Sequence, residues 1–156
     1  MPTRTRSKSG KSKAQIQAEI DAVLSGARAS HSLVYHDIGG ENSRWPAWMR
    51  AFARSCGAYV IRDKRSHRVL YVGSSRSRLY DTITRHFQQW KRRKNWWKGL
   101  HGAHHDPGMV YRRDHCEVAI RIVHCGDELD EETRLIHKLS PRDNLVENPD
   151  GEEVPF

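Results

Sequence analysis

Cysteine is scarce in this chain, and long apolar runs are missing. Three cysteines, Cys56, Cys116 and Cys125, are too few and too odd in number for a disulfide framework. They are read as forming no paired set, which points to a reducing cytoplasm. No stretch approaches the roughly 20 apolar residues that a spanning helix needs, so no membrane partner is expected. The N-terminus is basic but carries no hydrophobic segment behind its charges, so no secretory signal is expected. Acidic residues are outnumbered, with 19 Asp and Glu against 27 Lys and Arg, a formal net charge of +8. That imbalance favours a polyanionic partner and says nothing of the fold. No internal repeat is visible, and 156 residues accommodate one domain with a modest core.

Two short tyrosine motifs stand out, Gly57-Ala58-Tyr59 and Tyr71-Val72-Gly73. Both lie in β-branched, aromatic-rich runs, Ala58 to Asp63 and Arg68 to Val72, separated by polar Lys64-Arg65-Ser66-His67. This spacing predicts an antiparallel hairpin with a four-residue loop. Side chains alternate along a strand, so Tyr59 and Tyr71 share one face if the register allows. Gly57 and Gly73 punctuate the ends of the hairpin, where the backbone needs room or a positive φ. Tyrosines also serve simply as packing residues in strands.

The second signal is Glu132-x-x-Leu135-Ile136-x-x-Leu139-x-Pro141-x-x-Asn144. Asp130, Glu131 and Glu132 open a helix with acids in the first turn, where the helix dipole favours them. Leu135, Ile136 and Leu139 recur on the face that carries Glu132, and Pro141 ends the helix. A carboxylate on a core-facing stripe is costly to bury unless paired or metal-bound. Glu131 points elsewhere and reads as a solvated acid.

Together these motifs resemble the GIY-YIG nuclease superfamily, over roughly residues 57–144. The resemblance implies a metal-dependent endonuclease that hydrolyses DNA with one Mg²⁺ or Mn²⁺. It implies that Glu132 holds the metal, that Tyr59 orients or deprotonates the attacking water, that Tyr71 and His86 assist, and that Asn144 holds the site together by hydrogen bonds. In the family, a helix arginine stands four residues before the His or Tyr that His86 represents. Thr82 occupies that slot here, and Arg85 or Arg78, each about one helical turn away, takes the role, with Arg85 preferred.

Segment 88–115 is a basic insert rich in Trp and His. Lys91, Arg92, Arg93, Lys94 and Lys98 are interleaved with Trp90, Trp96 and Trp97, and Arg112 and Arg113 follow. Cations neutralise phosphates and rings stack on unpaired bases, so Lys91 to Lys94, Trp96, Trp97 and Lys98 are candidate nucleic-acid contacts. Trp90 reads as a core residue. His101, His104, His105, His115, Cys116, His124 and Cys125 include zinc-ligand types, but their spacing follows no familiar finger or ribbon.

The chain is therefore expected to be one α/β domain of the α+β type. A small central antiparallel sheet of about three strands, with Cys116 to Val123 as the third, is flanked by helices. Residues 1–13 form a basic tail and 14–55 an N-terminal helical extension, with helices at Ala14 to Leu24 and Ser43 to Arg54. Residues 56–146 form the nuclease-like domain, with a helix from Leu79 to Trp90, and 147–156 an acidic tail. The expected partner is double-stranded DNA, with a protein partner or a second copy of the chain for targeting. Two alternatives stand beside the enzyme: a non-catalytic DNA-binding module of the same fold, and a small zinc-stabilised nucleic-acid-binding protein.

Overall fold

The computed structural model describes residues 10–28, 32–88 and 111–144. Lys91, Arg92, Arg93, Lys94, Trp96, Trp97 and Lys98 lie outside the described residues, as do Trp90, His101, His104, His105 and both tails as far as residues 9 and 145. In chain order the elements are α1 (Lys13–Arg28), β1 (Tyr35–Asp37), α2 (Ala47–Ala51), β2 (Gly57–Asp63), β3 (Val69–Ser75), α3 (Leu79–Arg85), β4 (Cys116–Ile122) and α4 (Glu128–Leu139). A single 3₁₀ turn, Arg113–His115, leads into β4.

The hairpin forms because β2 and β3 are rich in residues that suit a pleated surface and because Asp63 organises the turn. One carboxylate oxygen of Asp63 accepts from the backbone N–H groups of Arg65 (2.9 Å) and Ser66 (2.7 Å). The sheet has four strands rather than three, in the order β1-β4-β2-β3, and every pairing is antiparallel. The extra strand, β1, lies between the two helices expected in the segment 14–55. It is three residues long, too short to show a period, and exists by pairing with Glu117 to Ala119 of β4. The segment 14–55 is thus more than a helical extension, since it also completes one edge of the sheet.

Alternation along the strands sorts the core into two layers. Tyr59, Ile61, Val118 and Ile120 pack with Val23 and Ala27 of α1, Trp48 and Met49 of α2, and Leu79 and Ile83 of α3. On the other side Ala58, Val60, Val72 and Ala119 pack against Leu135 and Ile136 of α4. Helices therefore cover both faces. The helix α2 is shorter than expected, because Pro46 stands as its N-cap and Phe52 closes it. The helix α3 ends at Arg85, with His86 at the cap.

The segment after α4 closes the outer edge of β3. The backbone N–H groups of Arg142 and Asp143 donate to the carbonyls of Val69 (3.1 Å) and Leu70 (2.9 Å). Asn144 continues the ladder with its side chain, so β3 is not left as an open template. Arg113, read from sequence as part of the basic segment, is buried instead. Its guanidinium donates to the carbonyls of Ile38 and Ser43, both at 2.7 Å, and ties the loop before α2 to the sheet.

The cysteines also depart from expectation. Cys56 and Cys125 form a disulfide, with their Cα atoms 5.1 Å apart across a separation of 69 residues. It staples the start of β2 to the turn before α4, and so removes the premise of the reducing-compartment reading. Cys116 is the free cysteine among the described residues, buried in β4 with its thiol pushed up to about 12 by that burial. No helix among the described residues is long and apolar enough to cross a membrane.

Candidate active site

Tyr59 is placed by register. It stands opposite Gly73 across the β2–β3 ladder, and its ring lies over that glycine. A Cβ at position 73 would sit 2.4 Å from the phenol oxygen and 2.5 Å from the ring carbon that bears it. Gly73 is therefore a residue of the strand interior, not of its end, and the room it gives is for the tyrosine ring rather than for a positive φ. Gly57 is explained in the same way, since a Cβ there would stand 2.3 Å from the carbonyl oxygen of Arg121 on β4.

With the ring laid flat, the hydroxyl of Tyr59 reaches α3 and shares a 2.8 Å hydrogen bond with Nε2 of His86. Tyr71, opposite Ile61, falls on the same face. Its ring centroid is 4.6 Å from that of His86 and 6.2 Å from that of Tyr59. Tyr59, Tyr71 and His86 thus form one contact cluster. Tyr59 and His86 are each only 1 % exposed.

Electrostatics decide what Tyr59 can do. Burial holds its phenol well above the ordinary tyrosine range, and the neighbouring Tyr71 and Glu132 push it further up, while the Arg85 guanidinium opposes them. A phenol held there stays neutral near pH 7. It can orient a partner or pass a proton along a hydrogen bond, but it cannot hold negative charge as a free base. Of the two roles implied for Tyr59, orientation is the one this environment suits.

Glu132 approaches from the other layer. It sits on the apolar stripe of α4 with Leu135 and Ile136, and is 9 % exposed. Its carboxylate accepts a short hydrogen bond from the hydroxyl of Ser74. Ser74 follows Gly73 on β3, so its side chain points away from Tyr59. The tyrosine–histidine cluster and the carboxylate therefore flank β3 rather than share one face. Only a strand with a glycine at this point separates them, and the charge of Glu132 is still felt at the Tyr59 phenol.

Asn144 binds backbone. Its amide oxygen accepts from the N–H of Val72 (2.8 Å) and its nitrogen donates to the carbonyl of Val72 (2.7 Å), which locks the strand between Tyr71 and Gly73. Arg85 is exposed at the last turn of α3, and Arg78 is exposed at the N-cap of the same helix. Of the two, Arg85 is the one whose charge acts on Tyr59. Glu131 is not a solvated acid. Arg134 grips it with two bonds of 2.9 and 2.6 Å, and Arg121 on β4 stands 3.7 Å away. The bond to Arg134 holds the Glu131 carboxyl below its usual range.

Three neighbours escaped sequence reasoning. Ser74 is the partner of Glu132, and alternation from Gly73 places it on the α4 side. Arg121 alternates with Glu117 and Ala119, a pattern that gave a sign of an inward charge. Tyr111 donates its backbone N–H to the carbonyl of His86 at 2.6 Å and its hydroxyl to Asp143 at 2.6 Å, a bridge that no spacing announces.

The donor set bears on metal in two ways. Mg²⁺ keeps several waters and takes substrate oxygens, so one protein carboxylate suffices, and Glu132 fits that demand. Among the described residues no three His, Cys, Asp or Glu side chains stand together as a cage. Of the His and Cys residues weighed as zinc ligands, Cys125 is committed to the disulfide and Cys116 to the core. Set against known proteins, the chain matches no family model, no curated protein and no solved structure.

Proposed function

We propose that this chain is a metal-dependent endonuclease that hydrolyses DNA phosphodiesters by a one-metal, GIY-YIG-type mechanism. The observation that carries the reading is the Tyr59 hydroxyl bonded to His86 Nε2, with Tyr71 against the same imidazole and Glu132 in electrostatic reach. With His86 in the tautomer that leaves Nε2 unprotonated, a water that donates to the Tyr59 oxygen can pass its proton through the phenol to Nε2. The phenol takes one proton as it gives another, so it stays neutral throughout. Tyr71 fixes the imidazole by ring contact. Arg85 supplies positive charge for the phosphate, and Ser74 holds the Glu132 carboxylate in place. A Mg²⁺ or Mn²⁺ ion bound at Glu132 would stabilise negative charge on the phosphate and on the leaving oxygen.

The excess of basic residues is consistent with a nucleic-acid partner. A second reading, a non-catalytic DNA-binding module, is favoured by Thr82 in the arginine slot and by the depth of Tyr59 and Glu132.

Plasmid incubated with Mg²⁺ separates the two. Wild type is expected to nick or linearise the plasmid. Glu132→Ala is expected to abolish cutting while DNA affinity stays within about twofold, because removing an acid does not weaken attraction to a polyanion. If wild type binds DNA but leaves the plasmid intact, the binding-module reading replaces the enzyme. If folded Glu132→Ala cuts as well as wild type, or loses binding along with cutting, Glu132 is structural and the one-metal site assigned to it fails.

A further inference from the structure

A groove of about 420 Å³ opens beside α2, lined by Arg44, Trp45, Ala47 and Arg50. The spacing of Trp45 with Trp48, Met49 and Phe52 suggests a packing residue, and Trp45 does pack against the core, but only the latter three are fully buried. Trp45 is half-buried, and its remaining surface lines the groove. The indole is braced from within. The Arg113 guanidinium lies 3.7 Å from its centroid, and that guanidinium is itself pinned by the carbonyls of Ile38 and Ser43. The Phe87 ring meets it edge-on at 5.9 Å. Pro46 restricts the backbone on its other side. Such a ring cannot turn inward, so it is a preformed platform.

The rim is cationic. Arg44 and Arg50 are exposed, and among the described residues neither side chain has a carboxylate partner. The nearby acid, Glu41, accepts from the backbone N–H of Arg113. We propose that this groove binds an unpaired nucleotide of a DNA strand, with the base stacked on Trp45 and its flanking phosphates on Arg44 and Arg50. A base within a duplex has both faces covered by its neighbours, so a stacking platform selects unpaired bases. Phe87, which touches Trp45, is the residue after His86. The choice of DNA rests on the proposed function; the groove itself does not depend on catalysis.

The test uses the full chain and fluorescence anisotropy with two labelled DNAs, a blunt duplex and the same duplex carrying a single-stranded overhang. Wild type is expected to prefer the overhang DNA. Trp45→Leu is expected to bind that DNA about tenfold more weakly while changing little on the blunt one. Because Trp45 also braces Arg113, the exposed pair Arg44→Ala/Arg50→Ala is measured as well. Its plot of log affinity against log salt on overhang DNA is expected to flatten by about 1.4, or about 0.7 for each single-strand phosphate that the variant no longer neutralises. Equal loss on both DNAs would reduce the groove to a non-selective basic patch and overturn the proposal, as would unchanged binding by both variants. Wild type that binds neither DNA would overturn it too. Failure to cut plasmid, with the overhang preference intact and sensitive to these variants, would sink the nuclease reading and leave the groove standing.

Discussion

Gly73→Ala tests the packing on which the site depends. The added methyl would stand 2.4 to 2.9 Å from three atoms of the Tyr59 phenol ring. Flexible side chains absorb such contacts by moving, but this ring is 1 % exposed and its hydroxyl is bonded to His86 at 2.8 Å. Overpacking a filled core costs about 1–3 kcal/mol. Displacing the phenol from Nε2 leaves a buried hydroxyl poorly satisfied, a further ~1 kcal/mol or more. The expected loss is therefore about 2–4 kcal/mol, large against a typical domain stability of about 5–15 kcal/mol but not enough to prevent folding. Urea unfolding should show a lower midpoint with an unchanged slope. Gly40→Ala is the control, since nothing lies within 4 Å of a Cβ there. In a Tyr59→Phe background the nearest contact disappears, so Gly73→Ala should cost less than in wild type, and the two changes should fail to add. On the proposed function, plasmid cutting should fall by more than the unfolded fraction explains, because the phenol moves relative to His86. A Gly73→Ala protein within about 0.5 kcal/mol of wild type, the scatter usual for innocuous changes, would refute the claim that Gly73 exists to seat Tyr59.

Two other expectations follow from the same geometry. Burial raises the phenols of Tyr59 and Tyr111, the latter also through its bond to Asp143, so both keep their protons in the fold at pH values where the unfolded chain loses them. Their contribution is complete below about pH 10 and drains away above it, by up to about 1.4 kcal/mol per pH unit per tyrosine. Absorbance at the phenolate band should show these two ionising only on unfolding, and a folded protein in which all five tyrosines titrate together near pH 10 would contradict this. Asn144→Ala should strip both bonds from Val72, costing about 2–4 kcal/mol for two buried backbone groups left unmet. Amide exchange at Val72 should accelerate, and exchange as slow as in wild type would show that another group holds the strand.

The elements with strong local signals are legible in the sequence. The hairpin around Lys64 to His67 and the apolar stripe after Glu132 have periods that follow from backbone geometry, so pattern alone locates them to within two residues or so. The helix α4 begins earlier than expected, at Glu128, because its first turn accommodates acids over several positions. The helix α3 stops short of the expected Trp90 because the chain turns at His86 and Phe87, whose N–H groups bond back to Ile83 and Thr84. Within the site, strand alternation allows Tyr59 and Tyr71 to share a face, and they do, whereas their contact with His86 depends on how α3 packs on the sheet. Glu131 and Arg113 do not behave as surface charges, because the cations and carbonyls that engage them come from other turns and distant parts of the chain.

Residue types and short-range order by themselves determined the hairpin, the amphipathic α4, the excess of positive charge and the short list of groups able to do chemistry. Tertiary structure alone decided what depends on contacts between remote segments. It paired β1 with β4, joined Cys56 to Cys125 across 69 residues, and laid Asn144 along the edge of β3. It also placed Glu132 and Tyr59 on opposite sides of β3. Alternation assigns a side chain to one of two faces, but which helix covers each face is settled only when the whole core packs. The same packing withdrew the Tyr59 phenol from water, and so turned a residue that can be a base in sequence into one that stays neutral in the fold.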